Sequence, residues 1–137
     1  MADESTLLIV KPDAVRRGLV GEILSRIERK GLRVEAMRMM SIDRDVAEHH
    51  YAEHAQKPFF EDLVDFITSG EVVVAKVTGP DAIAVLRELM GATDPAKAAS
   101  GTIRGDYGTE ITQNLVHGSD SPQSAERELT LFFPEQP

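Results

Sequence analysis

Two short, nearly unbroken apolar runs constrain this chain more than any other feature. They are Leu7 to Val10 and Val72 to Val77, the second interrupted only by Lys76. Runs of this length cannot cross a bilayer, and they lack the alternation of a strand with one wet face. They fit strands buried on both sides, which requires a sheet with something packed on each face. Helical spacing elsewhere supplies the cover. Leu19, Val20, Ile23, Leu24 and Ile27 mark one face of a helix that runs to Lys30 and stops at Gly31. Phe60, Leu63, Val64 and Ile67 mark a second helix, and Ile83, Leu86, Leu89 and Met90 mark a third that begins near Asp81 and ends at Gly91.

Pro12 to Arg17 reads as a helical turn broken by Gly18. Leu32 to Ile42 reads as a strand, with Met37, Met39 and Met40 as core filler. Asp43 to His54 reads as a polar helix, broken at Lys57-Pro58. Ala92 to Gln113 shows no period, and a connection that long is usually functional or disordered. Leu115-Val116 ends a short strand, Ser121 to Arg127 makes a helix, and Leu129 to Phe133 is expected as a final strand before a polar tail, Pro134 to Pro137. The order predicts an α+β fold with helices packed on a sheet of about four strands. No linker, repeat or low-complexity segment divides it, so one domain over 1–137 is expected. Cysteine is absent, which excludes disulfides, thiolate metal sites and a cysteine nucleophile. A net charge of -8, from 15 basic and 23 acidic side chains, argues against nucleic acid as the main partner but permits a local basic pocket. The acidic start Met1 to Glu4 and the apolar run behind it make neither a signal peptide nor a membrane span, so a cytoplasmic location is expected, with no membrane partner.

Chemistry concentrates in Asn114-Leu115-Val116-His117-Gly118-Ser119-Asp120-Ser121. A strand end delivers one histidine to a turn, Gly118 removes a side chain where an incoming group would be crowded, and Ser121-Pro122 starts a helix. An imidazole, with an ordinary pKa of ~6.5, is largely neutral and nucleophilic near neutrality. Basic, amide and hydroxyl groups stand at separated element ends: Lys11, Arg87, Thr93, Arg104 and Asn114. Such groups, converging, would make a phosphate site. Glycine-cradle phosphate loops are missing, since no two glycines are two apart and G-x-x-x-x-G-K-[ST] is absent. A hydrolase triad of His117, Ser119 and Asp120 is disfavoured, because adjacent residues rarely face one another. A nucleophilic histidine still needs a carboxylate to fix its tautomer, and spacing does not choose between Glu126 and Glu128. His49, His50 and His54 lie close in sequence, with His50 and His54 on one helix face; solvated residues rather than metal ligands are expected there.

Lys11-Pro12-Asp13, Lys57-Pro58-Phe59-Phe60, Gly101 to Tyr107 and Asn114 to Ser121 occur in this order, and together they resemble the nucleoside diphosphate kinases. The resemblance spans Thr6 to Phe133. It implies a ferredoxin-like βαββαβ core with a four-stranded antiparallel sheet covered by helices. It also implies ping-pong transfer of a γ-phosphate between nucleoside tri- and diphosphates, with little base selectivity. By that similarity His117 is phosphorylated at Nδ1, Glu128 holds the other ring nitrogen and Ser119 supports the carboxylate. Lys11 and Tyr51 reach the transferring phosphate, and Arg87, Thr93 and Arg104 bind the others. Phe59 stacks on the base, Asn114 and Lys11 hold the ribose, and Mg2+ arrives on the nucleotide with no dedicated metal cage in the protein. A homo-oligomer, tetrameric or hexameric, is implied too. A nucleotide-binding regulatory module is the alternative; it would need neither His117 nor Glu128. An RNA-binding module would need paired strand aromatics and a basic surface, but Val72 to Val77 has no aromatic and the net charge is negative.

Overall fold

The computed structural model describes residues 3–135; Met1, Ala2, Gln136 and Pro137 lie outside the described residues, and with them parts of the expected acidic start and polar tail. The chain runs through β1 (Glu4–Val10), α1 (Pro12–Arg16), α2 (Val20–Arg29), β2 (Arg33–Met40), α3 (Arg44–His50) and a 3-10 turn (Ala52–His54). It continues through α4 (Phe60–Ile67), β3 (Val72–Gly79), α5 (Ala82–Met90), a second 3-10 turn (Pro95–Lys97), α6 (Ile103–Tyr107), β4 (Val116–Gly118) and α7 (Pro122–Phe132). The strands form one sheet in the order β2-β3-β1-β4. Each neighbouring pair is antiparallel. The arrangement β1-α2-β2-β3-α5-β4 is a ferredoxin-like βαββαβ core, with α3 and α4 inserted between β2 and β3.

The two apolar runs are the two inner strands, β1 and β3, and they feed two cores. Leu8 and Val10 of β1, with Val73, Ala75 and Val77 of β3, pack with Ile23, Ile27, Leu86 and Met90 of α2 and α5. Leu7, Ile9, Val72 and Val74 pack on the opposite face with Ala47, Val64, Ile67 and Phe132 of α3, α4 and α7. Strand alternation thus sends neighbouring residues into different cores.

Three expectations need correction. Leu129 to Phe133 is not a strand: the segment to Phe132 is the last part of α7. Ala125, Glu128 and Phe132 fall on the buried side of that helix, and the acid at 128 hides the helical period. Met37 and Met39 are not core filler, since they are 57 % and 54 % exposed on the edge strand β2. The long connection between α5 and β4 is not wholly irregular, because it holds the second 3-10 turn and α6.

Candidate active site

β4 is only three residues long, yet its pairing is specific: Ile9 lies opposite His117 and Leu8 opposite Gly118. The turn before it is tied to the end of β1. Lys11 N donates to Leu115 O at 2.8 Å, and Asp13 Oδ2 accepts from Leu115 N at 3.2 Å. Leu115 itself has φ 77°, and Val116 N donates to Asn114 O across it at 2.9 Å, a tight three-residue turn of the rare and strained kind. These ties bring Lys11, Asn114 and His117 to one end of the sheet although about 100 residues separate the first from the others.

Helix α7 brings the carboxylate. Ser121 caps it, its Oγ accepting from Ser124 N at 3.1 Å, and Pro122 occupies the first turn. Glu128 is buried, and its Oε1 lies 2.8 Å from His117 Nε2. Ser119 Oγ donates to the same oxygen at 2.7 Å and accepts from Leu7 N at 3.2 Å. A carboxylate at Nε2 fixes the proton there and leaves the lone pair on Nδ1. The His117 side chain is 21 % exposed and lines a cleft of about 550 Å³.

Cations and amides line the same cleft. Lys11 Nζ donates to Asn114 Oδ1 at 2.8 Å, and Asn114 Nδ2 donates to Thr93 O at 3.3 Å. Burial, reinforced by the Arg104 charge, lowers the Lys11 pKa to about 8. Arg104 sits in α6, whose cap Thr102 accepts from Gly105 N at 3.0 Å. Its guanidinium donates to Asn114 O at 3.1 Å, Gly91 O at 3.0 Å and Val116 O at 2.6 Å. It is therefore a clasp between the end of α5 and the strand of His117, with two of its five N–H groups left over. Burial, then the Arg87 charge, lowers its pKa to about 10. Arg87 projects from α5 and is exposed. Gly118 seats α5 closely, since a Cβ there would lie 3.0 Å from Met90 Cε and 3.2 Å from Leu86 Cδ2. At the mouth stand two exposed apolar side chains, Phe59 at 43 % and Ile111 at 58 %. The Lys57 ammonium lies 5.8 Å from the centre of the Phe59 ring.

A sequence model of the family described as "Nucleoside diphosphate kinase" matches residues 4–137. The chain is 60 % identical to a nucleoside diphosphate kinase of a Parafrankia species over 98 % of both chains. It is 62 % identical to one from Archaeoglobus fulgidus over 95 % of this chain and 86 % of that one. The structure is similar to that of a halophilic nucleoside diphosphate kinase from Halobacterium salinarum in complex with CDP, with TM-score 0.94 and 53 % identity over 96 % of this chain and 88 % of that one. The chain belongs to the nucleoside diphosphate kinase family.

The residues picked out by resemblance to the kinases share one place. Lys11, Tyr51, Phe59, Arg87, Thr93, Arg104, Asn114, His117 and Glu128 all line the cleft, and Ser119 stands directly behind Glu128. Between the two acids left open by spacing, Glu128 is the one beside His117. Several cleft residues were not marked by the sequence as belonging to the site, Ile111 and His50 among them. Ile111 was hidden in the aperiodic connection, and only its being an isolated large apolar residue there could have marked it. His50, expected to be solvated, is 4 % exposed and packs against His117. The reason is that the inner side of α3 faces α7, whose last turns look like a strand in the sequence. The kinase cleft also places His50, His117 and Glu128 with donor atoms within 4.8 Å of one another.

Proposed function

We propose that this kinase moves the γ-phosphate of a nucleoside triphosphate to a nucleoside diphosphate through a phosphohistidine at His117. The observation that carries this reading is the Ser119–Glu128–His117 relay, which leaves Nδ1 facing a cleft lined by Lys11, Arg87 and Arg104. In the first half-reaction the Nδ1 lone pair forms a bond to the γ-phosphorus. The bond from that phosphorus to the bridging oxygen breaks, and the diphosphate leaves with the electron pair. In the second half-reaction an incoming diphosphate oxygen attacks the phosphohistidine and His117 is released. Covalent storage divides a two-nucleotide encounter into two single ones.

Scattered cations suffice for this chemistry, because phosphoryl transfer is mostly positioning and charge stabilisation. Lys11 and Tyr51 attend the transferring phosphate. Burial, then the Glu128 charge, raises the Tyr51 pKa above the ordinary phenol range, so its hydroxyl stays a donor. Arg87, Thr93 and the spare N–H groups of Arg104 take the other phosphates. Asn114 and Lys11 hold the ribose. Phe59 and Ile111 offer apolar surface to the base at the mouth, a contact open to any base.

The family's reaction uses a divalent metal. Of the three acids in the lining, Glu128 is taken by His117 and Ser119 and Glu53 pairs with Arg127, which leaves Asp120 and no cage of carboxylates among the described residues. That donor set suits Mg2+ held mainly by phosphate oxygens, and Asp120 is the residue that would attend it. When bound it neutralises phosphate charge. Self-association to a tetramer or hexamer belongs to the same proposal. Edge strand β2, with its exposed methionines, supports it, and mass in solution tests it. Among the described residues no helix is long and apolar enough to cross a membrane. A cytoplasmic setting is proposed with the substrates.

The decisive experiment is incubation with γ-labelled ATP. The wild type should take label that acid removes and alkali does not, and ADP should discharge it. Label in the wild type that survives acid, or no label at all, sinks the mechanism. The regulatory-module alternative predicts binding without label.

A further inference from the structure

The mechanism leaves one buried ring beside the nucleophile unused. His50 ends α3 and meets His117 edge to face, with ring centroids 4.6 Å apart and planes at 80°. Tyr51 and Phe132 also pack on it, at 4.7 Å and 5.5 Å. Its Nδ1 is buried and has no hydrogen-bond partner, so the less costly tautomer carries the proton on Nε2. Burial, then the charges of His117, Lys11, Arg127 and His54, holds it well below the usual imidazole range, and the ring is uncharged. A metal ion bridging His50, His117 and Glu128 would break the 2.8 Å bond between the last two, beside Lys11 and Arg127. The cluster therefore works without one.

We propose that His50 is a positioning residue: its flat, uncharged ring fixes the plane of the His117 imidazole. The inference rests on the phosphohistidine reading. Glu128 does only part of this task. Nε2 lies nearer the line of the Cβ–Cγ bond than Nδ1 does, so a single hydrogen bond there restrains rotation about that bond only in part. Such rotation swings Nδ1 sideways across the cleft. A second ring 4.6 Å away, its plane at 80° to that of His117, blocks the swing. Transfer geometry is unforgiving, with a misplacement of about 1 Å worth about 10²-fold in rate. An imidazole suits the task better than a longer polar side chain, which would rock with its neighbour.

The test is single-turnover phosphorylation by labelled ATP in H50A, H50Q and H50F, with ADP affinity measured by calorimetry. H50A and H50Q should be phosphorylated about 10- to 100-fold more slowly, with ADP affinity held within about 2-fold. H50F keeps a flat ring, and its rate should return to within about 3-fold of wild type across about pH 6 to pH 9. Wild-type rates in H50A and H50Q overturn the proposal. So does a loss that appears in ADP affinity, or one that phenylalanine fails to rescue. If H50A does not fold, H50Q against H50F decides the same question. Failure of the parent reading looks different, because then the wild type itself takes no label.

Discussion

The floor and the mouth of the cleft are built on opposite terms. On the floor, His117 stands in a strand, and Glu128, Ser119 and Asn114 are buried with hydrogen-bond partners. At the mouth, Phe59 and Ile111 are exposed apolar side chains on connections between elements. A floor of satisfied polar groups is costly to rearrange and holds the reacting atoms in place. An open apolar mouth accepts any flat partner and discriminates little. The difference teaches that precision is confined to the phosphate, and tolerance to the base.

Substitutions at the floor should therefore destroy chemistry, and those at the mouth should only weaken binding. The largest effect is expected from His117→Ala, with phosphate exchange down by at least about 10⁴-fold and no acid-labile label. A variant that still labels would place the nucleophile elsewhere. Glu128→Gln keeps the shape but loses the charge that fixes the tautomer, and single-turnover rates should fall about 10²- to 10⁴-fold while ADP affinity holds. A loss confined to affinity would erase the contrast between floor and mouth.

Lys11 sharpens it by pH. Its pKa falls from 10.5 to about 8 on folding, so the folded protein resists its protonation. The unfolded chain binds the extra proton between these values, so this group's contribution makes stability rise with pH from about 8 to 10.5. Over the same window nucleotide affinity should fall, since the cation is lost. Lys11→Met should raise stability of the nucleotide-free protein by about 1–3 kcal/mol in urea unfolding, after the lost Asn114 bond is offset. It should also weaken nucleotide binding about 10-fold or more. A destabilised variant would show that the buried charge is better compensated than its surroundings indicate. The smallest effect belongs to the mouth. Phe59→Ala should raise KM about 10-fold for purine and pyrimidine nucleotides alike, with kcat nearly unchanged. Strong dependence on the base would give the mouth a selectivity that its exposed surfaces do not suggest.

Much of this contrast was legible in the chain. The inner strands announced themselves by uninterrupted apolar content, and the helices α2, α4 and α5 by their period. Lys11, Arg104 and His117 were visible as polar residues at element ends, although nothing local said that they meet. What failed did so for physical reasons. Leu129 to Phe133 carries strand-forming residues, and only the spacing of Ala125, Glu128 and Phe132 reveals the helix, with an acid on its buried side. Such an acid belongs inside only because His117 and Ser119 meet it, a fact no single segment contains. The burial of His50 is hidden for the same reason, as it depends on α7. The role of Arg104 as a clasp was invisible because all three of its partners are backbone carbonyls, which leave no mark on side-chain identity.

The bare α-carbon at 118 sets how far apart the reacting nitrogen and its exposed cation stand. Helix α5, which bears Arg87, rests on that glycine through Leu86 and Met90. Their separation is thus a matter of atomic radii rather than of charge. A methyl added at 118 would crowd Met90 and Leu86, and these side chains would have to give by a few tenths of an ångström to admit it.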